Sequence, residues 1–578
     1  MKHQIEGKPT KEILSGIKHI IESIQFGKNM RWSTETLKYA RPIRWLVALY
    51  DEDIVPFEIA SVKTGNKTFG HRFLGKEIIL TKAEDYPKVL KEEYVIVNAK
   101  EREEMILNQI KQLETENDII IPVDDGLLDE VRNLVEYPTV FMGSFEDKYL
   151  DLPSEVLITS MKEHQRYFPV KTKNGKLLSK FVGVRNGNDY EISTVVRGNE
   201  KVLRARLSDA EFFYEEDQKH SIDFYQEKLS RVIFQDKLGT YTDKVNRVVK
   251  ITKELTSLLN LDETLTNKAL RAAEISKFDL MTNMVNEFTE LQGIIGEKYA
   301  NNFAEDKEIA ISIREHYLPK QANGSLPETI IGSIVSVADK LDTIVGCISV
   351  GLVPTGSQDP YGLRRQATGI LRILDSKAWN ISLEQLLGIA KGVYYSTNIE
   401  MKDKEDISTK LHDFFKQRAN YLLKEINIEQ DIIHAVLDQK VGVFPFTKEK
   451  AKLLSNKRND ENFKTVQEAF VRVLHLADKA ENDQIDETLF KTESEKKLFE
   501  ELNHLEGDFR HAMQERNAKS ALDILSELAK PIHAFFDNNM VMADDKEVRD
   551  NRLALVVNIA ILISEYATLS LVEWKQHN

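Results

Sequence analysis

From Ile331, the residues Ile334, Val335, Ala338, Leu341, Val345, Ile348 and Leu352 recur at three- and four-residue spacings, the pattern that buries one face of a helix. Asp339 and Asp342 fall on or near a shared edge of that helix. Pro354, Gly356 and Pro360 then break it, and Asp359 before Pro360 is placed to cap a second helix whose first turn carries Arg364 and Arg365. The stretch thus joins a helix with paired aspartates to a rigid turn that holds a basic pair.

The rest of the chain surrounds this segment with two kinds of pattern. Up to about Asp189, short β-branched or aromatic runs such as Ile43 to Tyr50 and Glu93 to Asn98 alternate with Gly and Asn turns, which predicts strands mixed with helices. After Arg197 the periodicity is helical almost to the end, with few Gly-Pro breaks. The expected fold is multidomain α+β, a mixed α/β N-terminal region followed by predominantly all-α domains. At 578 residues the chain is long enough for about four domains. Breaks near Ser221, Lys377 and Asp486 divide it into 1–220, 221–376, 377–485 and 486–578.

Against 79 Lys and Arg stand 93 Asp and Glu, a formal charge of -14, which argues against a wholly basic nucleic-acid coat and confines any RNA contact to local patches. The single cysteine, Cys347, excludes an internal disulfide or a multi-cysteine metal site and fits a reducing cytoplasm. No apolar run approaches the roughly 20 residues that span a bilayer, and the opening MKHQIEGKPTKEIL lacks a signal-peptide core. A cytoplasmic protein with no membrane partner is expected.

Two polar blocks of the first part mix cations with aromatics: Gly70 to Leu74, and Thr159 to Pro169. Lys162, His164 and Arg166 are suited to phosphate and Tyr167 to base stacking, whereas a plain solvated strand edge accounts for the same alternation. Between Arg197 and Asp217, Leu203, Leu207, Ala210 and Tyr214 make an apolar helical stripe, with Arg197, Lys201 and Arg204 at its basic start. That polarity opposes the helix dipole, so these three cations are candidates for phosphate contact, against the plainer reading of a solvated face.

Asp243, Asp279, Asp339 and Asp342 recur at the distances of a histidine-aspartate (HD) phosphohydrolase module. Such a site needs imidazoles with carboxylates to hold a metal that activates water. The wording here is Asp243-Lys244 and Ser276-Lys277-Phe278-Asp279, and an ammonium has no lone pair to offer a cation. Asp279 and Asp339 are therefore expected to cap or pair, with no metal bound. No Walker loop, dinucleotide fingerprint or nucleophile elbow occurs, so no catalytic residue is assigned. Near the C-terminus, Pro531 to Val556 reads as a helix end, a polar loop and a new helix. Asp544 with Glu547 resembles a capping box, Val548, Leu555, Ile559 and Leu562 form a buried stripe, and Arg549 and Arg552 are expected on an exposed face. Beside them Phe535, Phe536, Asn538, Asn539 and Met540 offer the stacking and amide hydrogen bonds that read splayed bases, unless the two Phe are core and the two Arg pair with Asp545 and Asp550.

The blocks RPIRWLVALY, GHRFLG, LITSMKEHQRYFPV, RGNEKVLRARLSDAEFFYEED, SKFDLMTNMVNEFTELQGIIG, ADKLDTIVGC, PTGSQDPYGLRRQ and MVMADDKEVRDNRLAL resemble the beta subunit of the bacterial two-subunit (alpha2beta2) glycyl-tRNA synthetases. The resemblance implies a B3/B4-like region over 1–220, a degenerate HD-like helical domain over 221–376, a helical body over 377–485 and an anticodon-binding domain over 486–578. It also implies tRNA(Gly) and a separate alpha subunit as partners, with no DNA partner. No cofactor is expected in this chain, ATP and Mg2+ belonging to the aminoacylation site of the alpha subunit. Val548, Arg549, Asn551, Arg552 and Leu553 match the family's C-terminal helix motif, which adds Arg549, Asn551 and Arg552 to Phe535, Asn538, Asn539 and Met540 as expected anticodon-loop contacts. Arg364 and Arg365 are expected to meet either tRNA or the alpha subunit. The family carries an upstream Leu-x-Glu-Ile-Gly-x-Glu-Glu run that this sequence lacks, so the first domain is expected to be incomplete. A metal-dependent phosphohydrolase and a non-catalytic helical scaffold are the alternatives.

Overall fold

The computed structural model describes residues 9–573 apart from 15, 357 and 459, so the first eight residues of the opening segment lie outside the described residues. Two compact units divide the chain, Met1–Asp217 and Gln218–Asn578.

The first unit holds two three-stranded sheets among smaller hairpins. In one, β1 (Leu46–Val47), β2 (Glu58–Ile59) and β3 (Val62–Gly65) lie in the order β1-β3-β2, with β1 parallel and β2 antiparallel to β3. The helices α1 (Ala99–Asn117) and α2 (Asp125–Leu134) follow, started by the side chains of Asn98 and Asp124, which accept first-turn amides. The second sheet is antiparallel in the order β4-β6-β5, from β4 (Pro138–Ser144), β5 (Phe168–Lys171) and β6 (Leu177–Asn186), with Val182 opposite both Met142 and Phe168. Ile106, Ile110, Leu127, Val131, Phe168 and Val182 close its core against α1 and α2.

Two expectations for this unit are corrected. Glu93 to Asn98 forms no strand, because Tyr94 turns the backbone at a φ of 61° and Asn98 is committed to capping α1. The Thr159 to Pro169 block is not an alternating edge either. The helix α3 (Ser154–Thr159) widens into a π turn over Ser160–His164, Arg166 takes a φ of 61°, and β5 begins only at Phe168. The unit ends in α4 (Ile192–Asp217), whose Leu203, Leu207 and Ala210 are fully buried while Tyr214 is half-buried.

The second unit is helical apart from one short hairpin among its described residues. Its first half packs α5 (Tyr241–Leu258), α6 (Glu263–Ile275), α7 (Ile294–Asn302), α8 (Lys307–Glu315), α9 (Ile330–Ser349), α10 (Leu363–Ser376) and α11 (Leu383–Tyr395). The helix read from sequence as having one buried face is α9, and from Ile331 to Ser349 it is buried on every side. Five helices of this group, α5, α6, α8, α10 and α11, pack against it. Each fully buried Ile or Leu of such a helix contributes about 1.5–3 kcal/mol. Asp339, Lys340 and Asp342 are therefore interior groups, and each needs a partner. The next helix starts at Leu363 with Gly362 as its N-cap residue, later than the expected start after Asp359, and Asp359 still serves its first turn, its carboxylate accepting from the amides of Leu363 and Arg364 at 2.8 and 3.0 Å.

The second half continues through α12 (Lys404–Glu425), α13 (Gln430–Leu437) and α14 (Phe444–Lys457) to α15 (Glu461–Ala477), α16 (Glu493–Gln514), α17 (Ala518–Glu527), α18 (Ala529–Asn538) and α19 (Lys546–Tyr566). The last of these packs on α15, α16 and α17, with Val548, Leu555, Ile559 and Leu562 in the core. Its cap is Asp545, one residue later than the sequence pattern indicated, and its carboxylate accepts from Glu547 and Val548 amides.

Candidate functional site

Three groups of charged residues carry the chemistry that the sequence singles out. The first surrounds α9. Lys244 Nζ lies 3.0 Å from Asp342 Oδ2, 3.2 Å from Asp339 Oδ1 and 2.7 Å from the Thr343 hydroxyl. On the other oxygen of Asp342, Arg247 Nε donates at 2.6 Å and the Tyr394 hydroxyl at 3.0 Å. Gly346 makes that approach possible, since a Cβ there would collide with the Tyr394 hydroxyl. Lys277 Nζ lies 3.2 Å from Asp339 Oδ1 and 2.9 Å from His316 Nε2.

Burial sets the electrostatics of this cluster, and the ion pairs answer it. Desolvation works against the Asp339 carboxylate, yet Lys244 and Lys277 together hold its pKa well below the usual range. Burial and the nearby Lys277 charge push His316 well down, so its ring stays neutral. With Nδ1 placed 2.7 Å from the Ile313 carbonyl, the network assigns the proton to Nδ1 and leaves Nε2 to accept from the Lys277 ammonium. Lys340 donates to the His316 and Leu318 carbonyls and the Ser336 hydroxyl, and burial pushes its ammonium down to about 7. Asp279 accepts from the Gly293 amide at 2.6 Å, and burial raises its carboxyl to about 6. Asp243 stands apart as the capping-box partner of Thr240. Asp279 and Asp339 thus cap and pair, as the sequence indicated. Among the described residues no three His, Cys, Asp or Glu side chains converge as a metal-holding group.

The second group is the loop between α18 and α19. Arg552 was expected on an exposed face and is instead only 9% exposed. It donates to Glu495 Oε1 at 2.6 Å, to the Met540 carbonyl at 2.9 Å and to Asn539 Oδ1 at 3.1 Å. Burial raises the cost of the Glu495 charge, and the Arg552 hydrogen bond more than answers it, holding that carboxyl below its ordinary range. Three further expected base contacts turn inward. Phe535 is fully buried, Asn539 bonds to Thr492, Ser494 and the Phe535 carbonyl, and Asn551 bonds to both the amide and the carbonyl of Asp486. They build the loop and leave its tip to others. Asn538 is exposed, Met540 is 76% exposed, Met542 is exposed, and Arg549 is partly exposed, 3.7 Å from Asp550 and bonded to the Ala543 carbonyl. Arg472, which the sequence did not mark, lies over the Phe536 ring at 4.5 Å.

The third group belongs to the first unit. Lys162 pairs with Asp124 at 3.0 Å and Arg166 with Glu130 at 2.6 Å, so both are tied to α2. His164 is half-buried between them in the chain. Tyr167 is buried, stacks on Phe181 at 4.5 Å and is pushed up to about 12 by burial, which corrects its reading as a stacking surface. On α4, Arg197, Lys201 and Arg204 are exposed, and Arg204 reaches Glu146 at 2.8 Å. Lys201 has no hydrogen-bond or ion-pair partner among the described residues.

Comparison with known proteins gives these groups a context. A family model for the glycyl-tRNA synthetase beta subunit matches residues 1–438, and one for the DALR anticodon binding domain matches residues 466–573. The chain is 58% identical over 576 residues to a glycine–tRNA ligase beta subunit of Oceanobacillus iheyensis, covering 100% of this chain and 83% of that one. The chain belongs to the glycyl-tRNA synthetase beta-subunit family. Relatives of the same name in Bacillus subtilis and Listeria monocytogenes are 46% and 45% identical over 565 and 571 residues, covering 98% of this chain in each case and 81% and 82% of theirs.

Within this beta-subunit chain, the Arg552–Glu495–Asn539 clamp lies inside the segment matched by the anticodon-binding model, and the lysine cluster inside the segment matched by the beta-subunit model. Arg364 and Arg365 sit in the first turn of α10, the first partly exposed and the second exposed. His316, Lys340 and Glu495 escaped sequence reading. His316 lies in the Arg314 to Tyr317 run outside the blocks that resemble the family, Lys340 lies inside the ADKLDTIVGC block, where the aspartates on either side draw the chemistry, and Glu495 looks like an ordinary capping-box acid, which it also is. No described helix is long and apolar enough to cross a membrane.

Proposed function

We propose that this chain is the tRNA-recognising subunit of a two-subunit glycine–tRNA ligase, working with an alpha subunit that supplies ATP- and Mg2+-dependent glycyl transfer in the cytoplasm as an alpha2beta2 assembly. The observation that carries this reading is 58% identity over the whole chain to a protein of that name, together with the anticodon-binding match at residues 466–573. The family beta-subunit name implies the alpha partner, and the anticodon-binding description implies the RNA.

In this reading the loop after α18 meets the anticodon through Asn538, Met540 and Arg549, while Arg552, Asn551, Asn539 and Phe535 hold it in shape. On α4 the exposed Arg197, Lys201 and Arg204 take backbone phosphates, as do Lys162, His164 and Arg166 where their side chains remain accessible. Arg364 belongs to the surface offered to tRNA or the alpha subunit.

The test is reconstitution. The chain is mixed with its alpha subunit and tRNA(Gly), beside a beta subunit of the longer relatives' length, and glycylation is followed. Glycyl transfer that proceeds equally well without any beta chain defeats the proposal. Lys201→Ala is expected to weaken tRNA binding and lower the slope of log K against log salt by about 0.7–0.9, the release expected from one phosphate contact.

A further inference from the structure

Between α5, α9 and the start of α10 lies a cavity of about 800 Å³, lined by the five cations Lys244, Lys277, Lys320, Lys340 and Arg365. Only two carboxylates, Asp339 and Glu290, share that lining. Asp339 is already spent, standing 3.2 Å from both Lys244 and Lys277. Lys340 is held by two carbonyls and a hydroxyl, with no carboxylate in ion-pair range among the described residues. Lys320 is exposed, and its hydrogen bond to the Gln292 carbonyl is 3.4 Å long. Arg365 is exposed at the rim and has no hydrogen-bond or ion-pair partner among the described residues.

Lys244 also has Asp342 at 3.0 Å, so the unanswered positive charge belongs to Lys320, Lys340 and Arg365, and beside a low-dielectric wall it raises the local concentration of anions. Burial pushes the Lys277 and Lys340 ammonium groups down and their cationic neighbours add to that, and a bound anion would act in the opposite sense on both. The chemistry of the lining narrows the class. A guanidinium fork beside ammonium groups suits a phosphoryl group with several acceptor oxygens better than a single carboxylate. Phe234, Tyr241 and Tyr361 complete the wall and provide apolar and ring surface that inorganic phosphate alone would leave unused. The volume lies in the range of small-molecule sites.

We propose that this cavity binds a small phosphate ester of mononucleotide size, its phosphoryl oxygens held by Lys277, Lys320 and Arg365 and its organic part against Phe234, Tyr241 and Tyr361. Lys244 and Lys277 flank Asp339, and ammonium groups there suit the site to holding a phosphate. The proposal goes beyond the assignment of tRNA recognition and does not depend on it.

The test is calorimetric titration of the full chain, without alpha subunit or tRNA, with AMP, ATP, pyrophosphate and inorganic phosphate. Saturable binding of AMP or ATP, tighter than inorganic phosphate, is expected. Lys320→Ala and Arg365→Ala, both at exposed positions that leave the fold intact, should each weaken it about tenfold, the worth of one charged hydrogen bond. Three results would overturn the proposal: no saturable binding of any probe at millimolar concentration, nucleotide binding untouched by both substitutions, or complete displacement of the nucleotide by tRNA, which would give these cations to the RNA backbone.

Discussion

Asp342 shows what a single residue asks of the fold around it. Fully buried, its carboxylate is met by Lys244 and Arg247 from α5 and by Tyr394 from α11. The aspartate is legible in the sequence as half of a pair, but its ammonium partner lies 98 residues earlier in the chain, a distance at which no local pattern operates. Removing one member of such a buried pair strands the other charges, so Asp342→Ala is expected to destabilise the second unit by about 3–5 kcal/mol in urea titration. Asp279 makes the opposite demand. Its folded pKa of about 6 lies above the ordinary 3.8, so the folded state holds its proton more tightly than the unfolded one. That contribution is fully present below pH 3.8 and is lost as pH rises through about 6. Asp279→Asn, which keeps an oxygen for the Gly293 amide, is expected to flatten stability against pH between those values. An unchanged slope would show that another group titrates there.

At the scale of elements, the turn from α18 to α19 separates what periodicity reveals from what it hides. The buried stripe and the polar loop were readable, because spacing alone fixes which side chains face the core. Arg552 was misplaced because an arginine one turn from Arg549 looks solvent-facing until Glu495 of α16 is brought beneath it. The same lack of long-range information led Lys162 and Arg166 to be read as free cations when Asp124 and Glu130 of α2 hold them. The loop therefore divides into a scaffold and a tip with different sensitivities. Arg552→Gln should cost about 3–5 kcal/mol of stability, since it strands the buried Glu495 charge. Met540→Ala, at a position 76% exposed, should leave stability within about 0.5 kcal/mol yet weaken tRNA binding. Filter binding across a salt series distinguishes the two roles, because losing an uncharged side chain lowers affinity without changing the salt slope.

For the whole molecule, the change from mixed to helical patterning near Arg197 marks a real difference in architecture but not the division between units. The long helix α4 already has the helical signature, yet it belongs to the first unit, which runs to Asp217. Helical periodicity says that a face is buried and is silent about which core it joins. The partners of the buried groups supply that information. Phe168 packs with residues between Ile106 and Val182, all in the first unit. The partners of Asp342 are Lys244, Arg247 and Tyr394, all in the second. Two cores whose members are drawn from separate stretches of chain need not melt together. Scanning calorimetry of the full chain is therefore expected to resolve two transitions. Phe168→Ala, at a cost of about 3–5 kcal/mol, should lower only one midpoint, and Asp342→Ala should lower only the other. If either substitution moves both transitions equally, the units unfold as one cooperative body.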